Sequence, residues 1–155
     1  MPQEIERKFP VLSDAWRSLA VGVSYCQGYL TTDKGNVVRI RTVEDKGFIT
    51  IKGKPTGITR PEYEYEIPVE DAQELLDTLC RQPLIRKKRY KIPQGSVVWE
   101  VDEFSGENDG LIMAEVELES EEQTIDIPDW IGEEVTGDSR YYNSSLTKSP
   151  YKTWS

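Results

Sequence analysis

The residues able to do chemistry in this chain are polar pairs separated by one residue, nearly all of them charged. They run Glu4-x-Glu6-x-Lys8, Arg39-x-Arg41, Thr50-x-Lys52, Glu62-x-Glu64, Glu100-x-Asp102 and Glu115-x-Glu117. In an extended strand alternate side chains point to opposite faces, so the members of each pair share a face. The rows are also sorted by sign. Glu4 and Glu6, Glu62 and Glu64, Glu100 and Asp102, and Glu115 and Glu117 are acidic, while Arg39, Arg41 and Lys52 are basic. Clustered carboxylates bind hard divalent cations such as Mg²⁺ or Mn²⁺. Arginine and lysine bind phosphate oxygens, arginine with a two-pronged fork. A site that combines the two suits a metal-bound polyphosphate.

Strands must carry these rows. Gln3 to Phe9 alternates Glu4, Glu6 and Lys8 against Ile5 and Phe9. Ser24 to Thr32 places Tyr25, Gln27, Tyr29 and Thr31 opposite Cys26, Gly28 and Leu30, with turn residues from Asp33 to Asn36. Val37 to Val43 sets Arg39 and Arg41 against Val38 and Ile40; Asp45-Lys46-Gly47 is the expected hairpin turn before Phe48 to Lys52. Glu62 to Ile67 has an acidic row. Ile85 to Ile92 is ambiguous, since Lys87, Arg89 and Lys91 or Arg86, Lys88 and Tyr90 could face a site. Val97 to Phe104 and Leu111 to Glu119 complete about eight strands. Between Pro68 and Arg81 the period changes: Val69, Ala72, Leu75, Leu76, Leu79 and Cys80 form one stripe of an amphipathic helix. A short helix capped by Ser13 is expected to turn Trp16 and Leu19 inward. In the tail, a helical turn is expected at Pro128 to Ile131, a short strand at Glu133 to Thr136, and a helix from Asp138 to Leu146. Ser149 to Ser155 reads as a fraying end on which Tyr151 and Trp154 could dock.

Many short strands at hairpin spacing indicate an antiparallel barrel or sandwich. Rows facing solvent on a sandwich would explain the alternation. They explain the sorting less well, because solvated faces intersperse both signs. The apolar rows, such as Ile49 with Ile51, still need a cover. The arrangement that satisfies both is a closed eight-stranded barrel with charges in its lumen and helices packed outside, an α+β fold that is mainly antiparallel β. Such a lumen holds side chains or one small ligand. Buried cations need anionic partners, which the resident carboxylates and a polyanion would supply.

The 155 residues amount to one domain. The net charge of −9 argues against a nonspecific nucleic-acid or membrane-surface binder. Histidine is absent, which removes the commonest general base and transition-metal ligand. Cys26 and Cys80 form no CxxC motif and are read as free thiols. No apolar h-region opens the chain and no run approaches the ~20 residues of a membrane span, so a soluble cytoplasmic protein is expected.

Glu4-Ile5-Glu6-Arg7-Lys8 resembles the ExExK signature of the CYTH superfamily, the triphosphate tunnel metalloenzymes, and the other pairs follow in that family's order, including Lys87-x-Arg89. The resemblance covers nearly the whole chain. It implies a tunnel that hydrolyses or rearranges triphosphates, with Glu4, Glu6, Glu115 and Glu117 at a divalent metal, two ions per site, and Asp102 near it. Lys8, Arg39, Arg41, Lys52, Lys87 and Arg89 would grip phosphates, and Glu62, Glu64 and Glu100 would be further tunnel acids. The length and Gln27-Gly28-Tyr29-Leu30 are similar to the short bacterial members, many of which act on inorganic tripolyphosphate. There Tyr29 would be an acid/base residue, favouring alkaline conditions; it also reads as a barrel-wall tyrosine. The segment from Asp138 to Leu146 would plug one tunnel end, with Arg140 either a phosphate contact or a surface arginine. Hydrolysis of tripolyphosphate to pyrophosphate and phosphate is the expected activity, with Glu6 and Lys8 also in the catalytic set. The rival expectations are a nucleoside or thiamine triphosphatase, an adenylate cyclase, or a noncatalytic polyphosphate-binding module. Pairing of two copies through an outer apolar surface is compatible with the pattern.

Overall fold

The computed structural model describes residues 2–30 and 35–154. Its strands are β1 (Gln3–Pro10), β2 (Val23–Leu30), β3 (Val37–Val43), β4 (Lys46–Lys52), β5 (Thr59–Ile67), β6 (Ile85–Gln94), β7 (Val97–Phe104) and β8 (Ile112–Glu117). They close an antiparallel barrel in the order β1-β5-β4-β3-β2-β6-β7-β8. The expected fold is therefore the observed one. Thr31, Thr32, Asp33 and Lys34, part of the expected strand end and turn, lie outside the described residues.

The charged rows point inward, and the apolar rows point outward under a cover. Helix α1 (Val69–Thr78) lays Ala72 and Leu76 over Ile40, with Cys80, Ile49 and Leu30 in the same cluster. Leu79 departs from the expected stripe and is 64% exposed, because the helix has ended and the chain is turning back to the barrel. Glycines allow the helix to sit this close. A Cβ on Gly47 would come within 2.7 Å of Ala72 Cβ, so Gly47 serves the packing inside β4. The hairpin turn falls one residue earlier than expected, at Glu44-Asp45, with Glu44 at a φ of 54°.

The other outer face is covered by irregular chain where helices were expected. Trp16 and Trp130 are buried against Phe9, Trp99, Val101, Ala114 and Val116. The segment at Trp16 is a single 3-10 turn (Ala15–Ser18), and Leu19 beyond it is 52% exposed, contrary to expectation. Leu19 is the residue that ends the turn, so no further helical turn carries it back onto the face that Trp16 packs against.

The tail completes the barrel wall. β1 pairs with β5 only over Gln3 to Ile5, which leaves its upper backbone edge open. There Val135 donates to the Lys8 carbonyl, the Lys8 N–H donates to Thr136 Oγ1, and Gly132 donates to the Pro10 carbonyl. The expected strand at Glu133 to Thr136 does not form, since among the described residues Val135 makes its one backbone-to-backbone bond to β1 and the other bonds run through side chains of Arg7, Glu134 and Thr136. At Pro128 to Ile131 a turn leads into a bridge between Ile131 and Val11. The expected helix from Asp138 is broken into a 3-10 turn (Ser139–Tyr141) and α2 (Asn143–Lys148), because Tyr142 is extended. The final residues do not fray within the described range. Tyr151 and Trp154 dock beside Tyr141, with Trp154 edge-on to both rings, and the Tyr151 N–H donates to Asn108 Oδ1. Among the described residues, no helix is long and apolar enough to cross a membrane. Cys26 and Cys80 are free thiols, half-buried and buried under α1.

Candidate active site

The barrel encloses a cavity of about 750 Å³. Of the residues singled out above, Glu4, Glu6, Lys8, Tyr29, Arg39, Arg41, Lys52, Glu62, Glu64, Lys87, Arg89, Glu100, Glu115 and Glu117 all line it. The ambiguous β6 row resolves to Lys87 and Arg89, with Lys91 nearer solvent. One end is closed by Leu146 of α2, packed with Tyr29, Ile85, Phe104 and Met113. Tyr142, Asn143 and Ser144 face the cavity from that end.

Register places the acids together. Glu6 stands opposite Glu117 and Lys8 opposite Glu115 across β1 and β8. Glu4 is ion-paired with Lys52 at 3.0 Å, and Lys8 with Glu115 at 3.2 Å. Burial pushes Glu115 up, but Lys8 and Arg89 outweigh it and hold the carboxyl well below its ordinary range. Glu6 is different. Burial, then the negative charges of Glu115 and Glu4, drive its pKa well above normal, and it hydrogen-bonds Glu115. Burial and the neighbouring Glu4 push Glu62 up to about 7, and burial with Glu4 and Glu100 also raises Glu117. This wall carries more negative charge than its lysines neutralise.

The opposite wall has the reverse imbalance. Burial, then repulsion from Arg39 and Arg89, pushes Arg41 down to about 9. A guanidinium keeps its proton at neutral pH, so the imbalance is felt as demand for an anion. Arg41 donates through Nε to Gln27 Oε1 at 2.8 Å; among the described residues its terminal nitrogens meet no acceptor. Arg39 reaches Thr50 and Glu64 through Nη2, but among the described residues its buried Nε has no partner. Tyr25 lies beneath the guanidinium groups of Arg41 and Arg89, at 4.9 and 5.2 Å.

Two of the residues singled out in the sequence do not line the cavity. Asp102 does not line the cavity with the metal-site carboxylates. It is 1% exposed and both its oxygens are occupied. Arg89 holds it two-pronged at 2.8 Å through Nε and Nη2, and Lys87 donates to Oδ2 at 2.8 Å. Its task is to anchor two cations. Arg140 lies outside the cavity, exposed, paired with Asp138 at 2.8 Å and stacked near Tyr141 and Trp154. Arg89 itself spends most of its donors on acids, since Glu115 and Glu100 also accept from it.

The sequence pattern did not single out Asn143, Gln27 or Tyr25 as site residues. Asn143 comes from the tail, where no alternation points inward, yet its Oδ1 accepts from Lys87 at 2.9 Å. Gln27 and Tyr25 share the face of Tyr29, which was the available signal.

A family model described as CYTH domain matches residues 2–150. The chain belongs to the CYTH family. It is 56% identical over 154 residues to an inorganic triphosphatase of Acetivibrio thermocellus, covering 99% of each chain. A second inorganic triphosphatase, from Nitrosomonas europaea, is 39% identical and covers 94% of this CYTH chain and 97% of its own. The crystal structure of an inorganic triphosphatase superposes with a TM-score of 0.65 at 34% identity, over 92% of this chain and 96% of that one.

The acidic wall of this CYTH protein fits a divalent cation in chemistry. Its donors are all oxygen, and the crowding of Glu6 by Glu115 and Glu4, which makes its carboxyl hold a proton, is one that a cation would relieve. Among the described residues, no three acidic or thiol side chains converge as a ready-made cage.

Proposed function

We propose that this CYTH protein hydrolyses inorganic triphosphate to pyrophosphate and phosphate in its barrel lumen, with Mg²⁺ or Mn²⁺ as cofactor. One observation supports this above the others: one cavity has a wall where Arg41 and Arg39 crowd together and a facing wall where Glu4, Glu6 and Glu117 do. A polyphosphate bound with divalent ions is the ligand that suits both walls. The names of the 56% and 39% identical relatives agree with it.

In this reading Arg39, Arg41, Lys8, Lys52 and Lys87 hold the phosphate chain. Arg89 grips phosphate less and instead fixes Asp102, Glu115 and Glu100. Glu4, Glu6, Glu115 and Glu117 would hold the metal, and Glu62 and Glu64 balance Lys52 and Arg39. The metal would supply charge withdrawal from phosphoryl oxygens and a more acidic bound water. Tyr29 faces the cavity from the closed end and donates its hydroxyl proton toward substrate oxygen. Lys8 and the arginines then neutralise charge on the phosphoryl oxygens as the anhydride bond breaks. Positioning and charge neutralisation supply most of the acceleration in such transfers.

The test is phosphate release from tripolyphosphate, ATP and thiamine triphosphate, each with Mg²⁺, Mn²⁺ and chelator. Metal-dependent release from tripolyphosphate in preference to the organic triphosphates is expected. Tight tripolyphosphate binding without release under any ion would replace the enzyme with a binding module.

A further inference from the structure

The closed end of the cavity contains two side-chain amides, Gln27 buried and Asn143 half-buried, whose orientation is dictated by their partners. Gln27 is fully buried. Arg41 Nε lies 2.8 Å from one end of its amide. A guanidinium can only donate, so that end must be the oxygen. The amide nitrogen therefore faces the Tyr29 hydroxyl at 2.9 Å and Asn143 Oδ1 at 3.1 Å. The Asn143 amide is locked by the same logic: the Gln27 nitrogen can only donate, so the end it meets at 3.1 Å is the oxygen, which also lies 2.9 Å from Lys87 Nζ.

This polarity passes to Tyr29. Gln27 donates to the phenolic oxygen, so the hydroxyl hydrogen is left to point elsewhere. Tyr29 lines the cavity, while the rest of its ring is enclosed by Ile85, Phe104 and Leu146. We infer that Gln27 is a positioning residue: clamped by Arg41 and Asn143, its amide fixes the Tyr29 hydroxyl as a donor aimed into the lumen. This rests on the reading of Tyr29 as a substrate contact in triphosphate hydrolysis. It also explains why the C-terminal helix belongs to the active site. Asn143 sits in its first turn, and without it one of the two Gln27 amide hydrogens loses its acceptor.

The experiment compares Gln27→Glu, Gln27→Met and Asn143→Ala with wild type, alone and combined with Tyr29→Phe. Gln27→Glu keeps an acceptor for Arg41 but cannot donate to Tyr29, whose hydroxyl then turns toward the new carboxylate. Removing one preorganised donor from a reaction centre lowers turnover on the order of 10²-fold. A kcat loss of about that size is expected for both Gln27 variants, with a smaller loss for Asn143→Ala. The losses should vanish in the Tyr29→Phe background, where the group being aimed is gone. Losses that multiply with Tyr29→Phe, or a Gln27→Glu enzyme at full kcat, overturn the inference. A second readout needs no turnover. In protein labelled at the tyrosine ring Cζ, the Tyr29 carbon resonance should shift in each of the three variants. An unmoved resonance overturns the inference too. If wild-type protein releases no phosphate, the functional reading fails while this resonance still decides the hydrogen-bond direction.

Discussion

Asp102→Ala is the perturbation that best separates structure from metal chemistry in this barrel. Asp102 stands directly opposite Arg89 on the neighbouring strand and takes three bonds of 2.8 Å from Arg89 and Lys87. Both partners are nearly as buried as it is. Deleting one member of a buried ion pair costs about 3–5 kcal/mol, because the remaining charge stays out of water without a partner. Here Arg89 retains Glu115 and Glu100, while Lys87, which burial already pushes down to about 7, retains Asn143 and the Phe104 ring. For a chain of this size 1 kcal/mol moves Tm by about 2–4 °C, so a fall of about 6–20 °C is expected. Calorimetry with and without Mn²⁺ is the assay. The Mn²⁺-induced rise in Tm should survive in Asp102→Ala and disappear in Glu6→Gln. The acid limb gives a second check. Burial raises the Asp102 pKa, but Arg89 and Lys87 outweigh it and hold it below the ordinary 3.8. Its contribution is therefore complete above that value and fades as pH falls through the lower folded one. Asp102→Asn should remove that part of the acid-induced loss. An Asp102→Ala protein that melts like wild type but no longer responds to Mn²⁺ would refute the argument and restore Asp102 as a metal ligand.

Glu6→Gln should abolish phosphate release while leaving a cooperative melt, and EDTA should do the same to wild type until Mg²⁺ or Mn²⁺ is returned. Arg41→Ala removes charge-assisted hydrogen bonds worth about 1.5–3 kcal/mol each, so KM for tripolyphosphate should rise roughly 10- to 100-fold. Steady-state kinetics reads both variants. Gly28→Ala would place a methyl group 2.8 Å from Cys80 Cβ and from Leu84 Cδ2. Overpacking of that kind costs about 1–3 kcal/mol, measurable by urea unfolding without a change in m. Trp154→Ala strips the ring contacts with Tyr141 and Tyr151 that hold the plug. At about 0.5–1.5 kcal/mol per aromatic pair, it should lower Tm by a few degrees and loosen the closed end, read as faster amide exchange in residues 143–148.

Alternation is a local property, and it was enough for the barrel and for most of the lumen. A period of two leaves only two faces for each strand, so Glu4, Glu6 and Lys8 had to point together, as did Arg39 with Arg41 and Glu115 with Glu117. Sorting by sign then made a solvated face a poor explanation. What the chain could not reveal lies where no period operates. Trp16 and Trp130 cover half the barrel from irregular segments, and the stretch from Gly132 to Thr136 closes the open edge of β1 with only a few bonds. Asn143 reaches the cavity from a short helix far away in sequence. Asp102 shares a face with Glu100, yet its role depends on which cations stand across the strand and how deeply they are buried. Charge type and spacing follow from covalent order, so the sequence alone determined which groups would share a wall. Partnership and desolvation depend on chain segments that meet only after folding, so only the tertiary structure decided which of those groups are spent on one another and which remain to meet a ligand.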